Sequence, residues 1–231
     1  MEFKIIPYGS NAAFISFKNE ISNSIHQKVR FLYEGLRKLP EKGIIALTPG
    51  YNSLLVYYEV KIQNISGIRD LSEIILDESK YVKLDIYEVL LPVCYDHLFG
   101  PDIKFVLTHN DLKLEELITR HTASEYLVYM VGFVPGFLYL GGLDKKLNTP
   151  RLPMPRKIIP RGSVGIADSQ TGVYPLETPG GWQLIGNCLL NLIGNNKSTV
   201  IEMGDIVKFK SITKEEHSNL VGKYPERRLI K

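Results

Sequence analysis

Residues 132–144 read GFVPGFLYLGGLD, and residues 149–167 read TPRLPMPRKIIPRGSVGIA. Short apolar runs alternate there with glycine and proline, and residues 132–186 hold ten of the 19 glycines in the chain. Glycine and proline break helices and favour turns between short strands. Large apolar residues continue through the whole stretch, which argues against disorder. The pattern predicts a β-barrel or β-sandwich for the C-terminal part of the chain.

The first 85 or so residues follow a different pattern. Residues 21–36 carry apolar side chains every three or four positions, and residues 68–76 repeat this over a shorter length, so both predict helices. Strands are predicted at 3–7, 12–17, 44–47, 54–58 and 82–91. This order, β-β-α-β-β-α-β, indicates a compact α+β sandwich. We expect a domain boundary near residues 80–92 and one further helix over 111–121, capped by Asn110 or Asp111.

Composition excludes several classes of protein. The net charge is +3, from 28 basic and 25 acidic residues, which is too mild to predict nucleic-acid binding. The chain has no apolar run long enough to span a membrane and no signal-peptide pattern at its start, so we expect a cytoplasmic protein. Cys94 and Cys188 lie far apart and predict two buried free thiols rather than a metal site.

The Gly-Phe repeat of residues 132–137 suits a rigid loop that holds two aromatic rings near a ligand. A tight barrel corner with buried phenylalanines explains it equally well. Pro179-Gly180-Gly181-Trp182 has the same two interpretations, since the tryptophan either lines a pocket or anchors the core.

A basic segment follows the first glycine cluster. Residues 145–167 contain six Lys or Arg residues and no acid, and Arg151 and Arg156 each follow a proline. Arginines on a stiff backbone lose less freedom when they bind a carboxylate or phosphate. The alternative is a solvated basic loop. If Arg151 and Arg156 act together as a binding pair, the expected ligand is an acidic small molecule or an acidic partner surface.

No nucleophile–base motif, nucleotide-binding glycine loop or zinc motif is present. His121 is a candidate for the site, although a lone histidine is more often structural. Glu125 and Asp144 are the acids nearest to the glycine-rich block, and either is a candidate general base.

These motifs together resemble the family that includes the B subunit of 5-oxoprolinase, the first subunit of allophanate hydrolase and the KipI-type inhibitor of a sporulation histidine kinase. The resemblance rests on G-F-x-P-G-F-x-Y-L-G-G-L-D, P-R-x-x-x-P-R, G-S-V-G-I-A, Q-T-G-V-Y-P and P-G-G-W-x-x-I-G. Upstream matches lie at residues 7–9, 49–56, 91–95 and 99–102. It covers about residues 5–210.

The resemblance implies a ferredoxin-like α/β sandwich over residues 1–85 and a cyclophilin-like β-barrel over residues 86–231. It also implies a larger homologous partner subunit, a third subunit and ATP-dependent opening of 5-oxoproline to glutamate, with ATP bound on this chain, at an interface or on a partner. Inhibition of a histidine kinase and action on allophanate are the alternative functions.

The site expected on this basis has three parts. The candidate catalytic residues are His121 and Glu125. The candidate substrate-binding residues are Arg151, Arg156, Gln170, Thr171, Tyr174 and Trp182. The candidate loop residues are Gly132, Phe133, Pro135, Gly136, Phe137, Gly180 and Gly181. No metal is expected, and Arg156→Ala is expected to weaken activity without unfolding the chain.

The chain departs from the family pattern at three places. Leu138 and the run Asn187-Cys188-Leu189 are consistent with drift in packing or turns. Arg161 precedes Gly162 where the family usually has a small residue, and we expect it to add charge near the site.

Overall fold

The computed structural model describes residues 3–77, 84–195 and 198–230. The chain divides into two compact units, Met1–Leu84 and Asp85–Lys231. In the described part of the chain, no helix is both long and apolar enough to cross a membrane. Both cysteines are free and buried, as predicted.

The first unit contains β1 (Lys4–Pro7), β2 (Ala12–Ser16), α1 (Asn23–Arg37), β3 (Ile44–Pro49), β4 (Ser53–Tyr58) and α2 (Ile65–Ile75). The strands form an antiparallel sheet in the order β1-β2-β4-β3. Helix α1 begins after Ser22, whose side chain accepts a hydrogen bond from the Ile25 N–H. Its buried residues recur at helical spacing and pack with those of the sheet in one core. Both predicted helices and the four strands before residue 60 are therefore confirmed.

The last strand predicted for the N-terminal domain belongs to the second unit. It is β5 (Tyr87–Val93), which pairs within the sheet of the second unit. Its predicted start at Val82 lies outside the described residues. A ferredoxin-like sandwich places the strand after its second helix in the same sheet. In the first unit, β1 occupies an edge of the sheet, and among the described residues no strand follows α2 in it. The observed strand order therefore differs from that of a ferredoxin-like sandwich.

The second unit continues with α3 (Ile103–Asn110), α4 (Leu114–Ala123), β6 (Tyr126–Val131), β7 (Leu138–Gly141), β8 (Arg156–Ile159), β9 (Ser163–Ala167), β10 (Gln170–Val173), β11 (Thr178–Gly180), β12 (Gln183–Asn187), β13 (Ile206–Ser211), α5 (Lys214–Ser218) and β14 (Arg227–Leu229). Eight strands form one sheet in the order β12-β9-β10-β7-β6-β13-β5-β14, and β8 pairs with β11. Cys94, just after β5, exchanges two backbone hydrogen bonds of 3.0 and 3.1 Å with Asn187 of β12. This pairing closes the sheet on itself, which matches the barrel of the two architectures that the glycine-rich pattern predicted.

The predicted start of the helix over 111–121 is wrong. Asp111 has φ +51° and ends α3, a helix that the sequence pattern did not predict. Helix α4 begins only at Leu114, after the N-cap Lys113, whose N–H donates to the carboxylate of Glu116 at 2.9 Å. Asp111 tolerates this left-handed conformation better than most residues, so it turns the chain between the two helices.

Candidate functional site

Seven of the predicted site residues line one pocket in the second unit. The pocket encloses about 210 Å³. It is lined by Phe133, Phe137, Tyr139, Arg151, Leu152, Pro155, Tyr174, Gly180, Gly181 and Trp182. Sites for drug-sized ligands begin at about 300 Å³, so this aromatic pocket suits a smaller molecule.

Phe137 is the centre of the aromatic walls. Its ring centroid lies 4.7 Å from that of Tyr139, 4.8 Å from Tyr174 and 5.3 Å from Trp182, each in an edge-to-face arrangement. Such pairs contribute about 0.5–1.5 kcal/mol each beyond the burial of their surface. Trp182 is only 5% exposed and still lines the pocket, so it both anchors the core and forms a wall.

Two glycines make room for these rings. A Cβ atom on Gly172 would lie 2.6 Å from the carbonyl oxygen of Leu138 and 2.8 Å from the ring of Trp182. A Cβ atom on Gly180 would lie 2.7 Å from the hydroxyl of Tyr174. These distances are shorter than van der Waals contact, so side chains here would displace the pocket walls. Gly172 and Gly180 are therefore a requirement of the aromatic packing.

The loop between β6 and β7 is closed by two backbone hydrogen bonds. The Gly132 N–H donates to the Phe137 carbonyl at 3.1 Å, and the Phe137 N–H donates to the Val134 carbonyl at 3.1 Å. Gly136 has φ +81°, and Phe133 has φ +69°, which is uncommon for a bulky residue. Phe137 is buried, whereas Phe133 is 60% exposed at the pocket rim. The loop thus carries one buried ring and one ring that faces solvent, and its role beside a ligand stays a prediction.

Arg151 supplies the charge of the aromatic pocket. The N–H of the next residue, Leu152, donates to the Gly181 carbonyl at 2.7 Å and holds this segment against β11. Burial raises the pKa of Tyr174 to about 12 and also raises the pKa of Tyr139, while the nearby Arg151 charge opposes both shifts. Both phenols are therefore protonated at neutral pH. The pocket thus combines aromatic walls with one guanidinium, a combination that suits a small ring bearing a carboxylate.

Similarity to known proteins places the chain in a family. A family model described as "Carboxyltransferase domain, subdomain C and D" matches residues 3–202. The B subunit of 5-oxoprolinase from Bacillus subtilis is 40% identical over 230 residues, which cover 94% of this chain and 96% of that protein. The Haemophilus influenzae protein of the same name is 36% identical over 208 residues, which cover 89% and 96%. This chain belongs to the carboxyltransferase subdomain C and D family, together with the B subunit of 5-oxoprolinase.

Solved structures agree with this assignment. A conserved uncharacterized protein of Pyrococcus horikoshii is 38% identical, with a TM-score of 0.54, over 93% of this chain and 100% of that chain. The Kluyveromyces lactis urea amidolyase aligns with 99% of this chain and 16% of its own, at 18% identity and a TM-score of 0.79. The second likeness shows the fold alone.

The family motif contains two Pro-Arg pairs, but only Arg151 faces the pocket. Arg156 Nη2 donates to Asp102 Oδ1 at 2.5 Å, and its Nη1 donates to the Trp182 carbonyl at 3.3 Å. The second oxygen of Asp102 accepts the Leu184 N–H at 2.7 Å. Asp102 is 8% exposed, so this guanidinium neutralises a buried carboxylate. The prediction that Arg156 binds the ligand is corrected, because its fork is already occupied within the fold.

His121 lies in the barrel core and does not line the pocket. It is fully buried, with Nδ1 2.6 Å from the Tyr95 hydroxyl and Nε2 2.9 Å from Thr171 Oγ1. The Thr171 hydroxyl donates to the Gly165 carbonyl at 2.9 Å, so its oxygen accepts from Nε2–H. Nδ1 is then the acceptor for Tyr95. Desolvation lowers the pKa of His121 from 6.5 to about 3. This arrangement corrects the placement of His121 and Thr171 in the site, since both are buried structural groups.

The remaining predicted residues also lie outside the pocket lining. Glu125 is exposed and pairs with Lys208 Nζ at 2.8 Å. Gln170 is half-buried at the start of β10. Arg161, expected to add charge near the site, bonds instead to the side chain of Asn191 and to the Leu189 carbonyl. Gly132, Pro135 and Gly136 shape the loop without lining the pocket.

The sequence interpretation missed three lining residues, Tyr139, Leu152 and Pro155. Tyr139 alternates with the buried Leu138 and Leu140 along β7, and this alternation was the signal that it points to the opposite face. No Asp, Glu, His or Cys lines the pocket among the described residues. Nor do those residues contain a cluster of three or more such side chains that could hold a metal ion. The aromatic pocket can therefore bind a ligand but offers no general base.

Proposed function

We propose that this chain is the small subunit of an ATP-dependent 5-oxoprolinase complex, which opens 5-oxo-L-proline to L-glutamate. The observation that carries the proposal is the 40% identity to the B subunit of a 5-oxoprolinase across 94% of this chain. The aromatic pocket supports it independently, since a five-membered lactam with one carboxylate fits flat aromatic walls and a single arginine. In the same proposal, the closed sheet of the second unit is a cyclophilin-like β-barrel.

The pocket would bind and orient the substrate rather than transfer protons. Ring opening requires water to add to the lactam carbonyl carbon, the C–N bond to break and the nitrogen to take up a proton. Transfer of the γ-phosphoryl group of ATP to the amide oxygen would activate the carbonyl carbon, so that addition of water and cleavage of the C–N bond leave an acyl phosphate. A second water would then release the phosphate and give L-glutamate. The pocket lining described above lacks a carboxylate, imidazole or thiol. In this proposal the base comes from a partner subunit, so we expect no activity from this chain alone.

The pocket mouth also supports a partner. Phe133 is 60% exposed, and Met154, between the lining residues Leu152 and Pro155, is 82% exposed. Exposed large apolar side chains beside a pocket are typical of protein-contact surfaces. We propose that the larger homologous subunit covers this rim. We also propose that ATP binds at an interface or on a partner rather than in the aromatic pocket, which is small.

The proposal is tested by 5-oxoproline-dependent release of ADP. The assay uses this chain alone, with the larger subunit, and with both the larger and third subunits, each mixture being checked by gel filtration. Turnover is expected only in the complete mixture, and L-proline, which has the carboxylate but no lactam, should give none. Allophanate should not be hydrolysed, since the described pocket offers no nucleophile.

A complete and assembled mixture that releases no ADP would contradict the proposal. The alternative function, inhibition of a histidine kinase, would then be assayed directly by autophosphorylation of the kinase with and without this chain.

A further inference from the structure

Arg151 is only loosely held in the described structure. Its Nε lies 3.5 Å from Asp168 Oδ2, and the two side chains are 56% and 65% exposed. A distance of 3.5 Å is at the long end of hydrogen bonding, and exposed ion pairs of this kind are weak. By contrast, Arg156 makes two hydrogen bonds within the fold. The Arg151 guanidinium is thus paired with Asp168, but an anion that binds more tightly can replace this contact.

The carboxylate that pairs with Arg151 is built into the fold. Asp168 lies in the tight turn between β9 and β10, with φ +51°. Its N–H donates to the Thr149 carbonyl at 2.8 Å, two residues before Arg151. This bond fixes the turn against the segment that carries the arginine. The Asp168 backbone is therefore held next to the segment that carries Arg151, within reach of its guanidinium.

We propose that Asp168 is an internal competitor that occupies Arg151 until a carboxylate ligand displaces it. The inference rests on the proposed function, because it assumes that the pocket receives a small carboxylate. Asp168 contacts Nε with one oxygen, whereas a ligand carboxylate inside the pocket can bond two N–H groups of the fork. An uncharged lactam cannot make this exchange. Asp168 thereby lowers the affinity for anionic ligands, and Arg151 supplies the preference for them.

The experiment follows Trp182, the only tryptophan in the chain and a wall of the pocket. Its fluorescence is titrated with L-5-oxoproline and with 2-pyrrolidinone, which has the same lactam but no carboxylate. Asp168→Asn is expected to lower the Kd for 5-oxoproline by about two- to five-fold, the range for an exposed ion pair, and to leave 2-pyrrolidinone binding unchanged. Asparagine tolerates a left-handed conformation, so the turn should be kept.

Asp111→Asn is the matched control. Asp111 also has φ +51°, is exposed, and has no ion pair among the described residues. Asp111→Asn therefore removes the same charge as Asp168→Asn from the same left-handed backbone conformation. It should not alter either Kd. In an Arg151→Met background, 5-oxoproline should bind at least ten-fold more weakly, and Asp168→Asn should have no further effect.

The proposal is overturned if Asp168→Asn behaves like Asp111→Asn, or if its effect persists without Arg151. It is also overturned if 5-oxoproline gives no saturable binding both to the isolated chain and to the assembled complex. Binding with the expected pattern but without turnover in the complete mixture would leave this inference intact and remove only the proposed reaction.

Discussion

Arg156→Ala is expected to lower the free energy of unfolding of the second unit by about 2–3 kcal/mol, and thus its melting temperature by roughly 5–10 °C. The reason is Asp102, which is 8% exposed and would keep a buried charge without its cation. The second oxygen of Asp102 would still accept the Leu184 N–H, but one hydrogen bond compensates only part of the desolvation. This corrects the expectation from sequence that the substitution would spare stability.

Unfolding of the second unit is measured by the fluorescence of Trp182, the only tryptophan. Lys157→Ala is the control, because Lys157 is the next residue on β8, is exposed and has no ion pair among the residues described. It should change stability by less than about 0.5 kcal/mol. Arg156→Lys keeps the positive charge but loses the planar guanidinium with its paired N–H donors. Its stability should lie between those of Arg156→Ala and Lys157→Ala. Equal stabilities for Arg156→Ala and Lys157→Ala would contradict this account.

Stability of the second unit should also fall as the pH decreases from 7 to 5, by about 2 kcal/mol from His121 alone. Burial lowers the pKa of His121 from 6.5 to about 3, so the unfolded chain takes up a proton below pH 6.5 and the folded chain does not. Protonation of the unfolded state lowers the free energy of unfolding. The stabilisation is therefore fully present above pH 6.5 and is lost progressively as the pH falls towards 3.

The neighbours of His121 do not compensate for this effect. Tyr95 and Tyr126 lie against the imidazole, and burial raises the pKa of both, so neither carries charge in this range. His121→Gln removes the titration and keeps polar groups in the core, so its stability should vary less between pH 7 and 5. Burial also lowers the pKa of His217, so His217→Gln should remove a further part of the slope. A slope that is unchanged in His121→Gln would refute the assignment.

Regular periodicity explains which elements were predicted. Helix α1 repeats apolar residues along one face over 15 residues, and this long pattern leaves few alternatives. Helix α3 has only eight residues and a weak pattern, and its end depends on the left-handed conformation of Asp111. The sheet membership of β5 depends on its parallel pairing with β13, more than a hundred residues later. Such distant pairing leaves no local signal in the sequence.

The candidate site was predictable only in part, for a similar reason. The Gly-Phe and Gly-Gly-Trp segments predicted the aromatic walls because they carry Phe133, Phe137 and Trp182 themselves, and Gly180 leaves room for the Tyr174 ring. Arg151 and Arg156, however, each follow a proline, and local sequence cannot distinguish them. What separates them is Asp102, 54 positions upstream of Arg156. Likewise, the partners of His121 lie 26 and 50 positions away, so its burial could not be read from its neighbours in sequence.

The central claim is that the aromatic pocket of this chain holds the substrate of a 5-oxoprolinase complex through Arg151. The most direct test is the KM for 5-oxoproline in the complete three-subunit mixture, measured with wild-type chain, Arg151→Met and the control Lys157→Met. We predict that Arg151→Met lowers kcat/KM by about 10- to 100-fold, mainly through KM, and that Lys157→Met does not. Equal KM values for all three, in complexes that assemble normally, would contradict the claim.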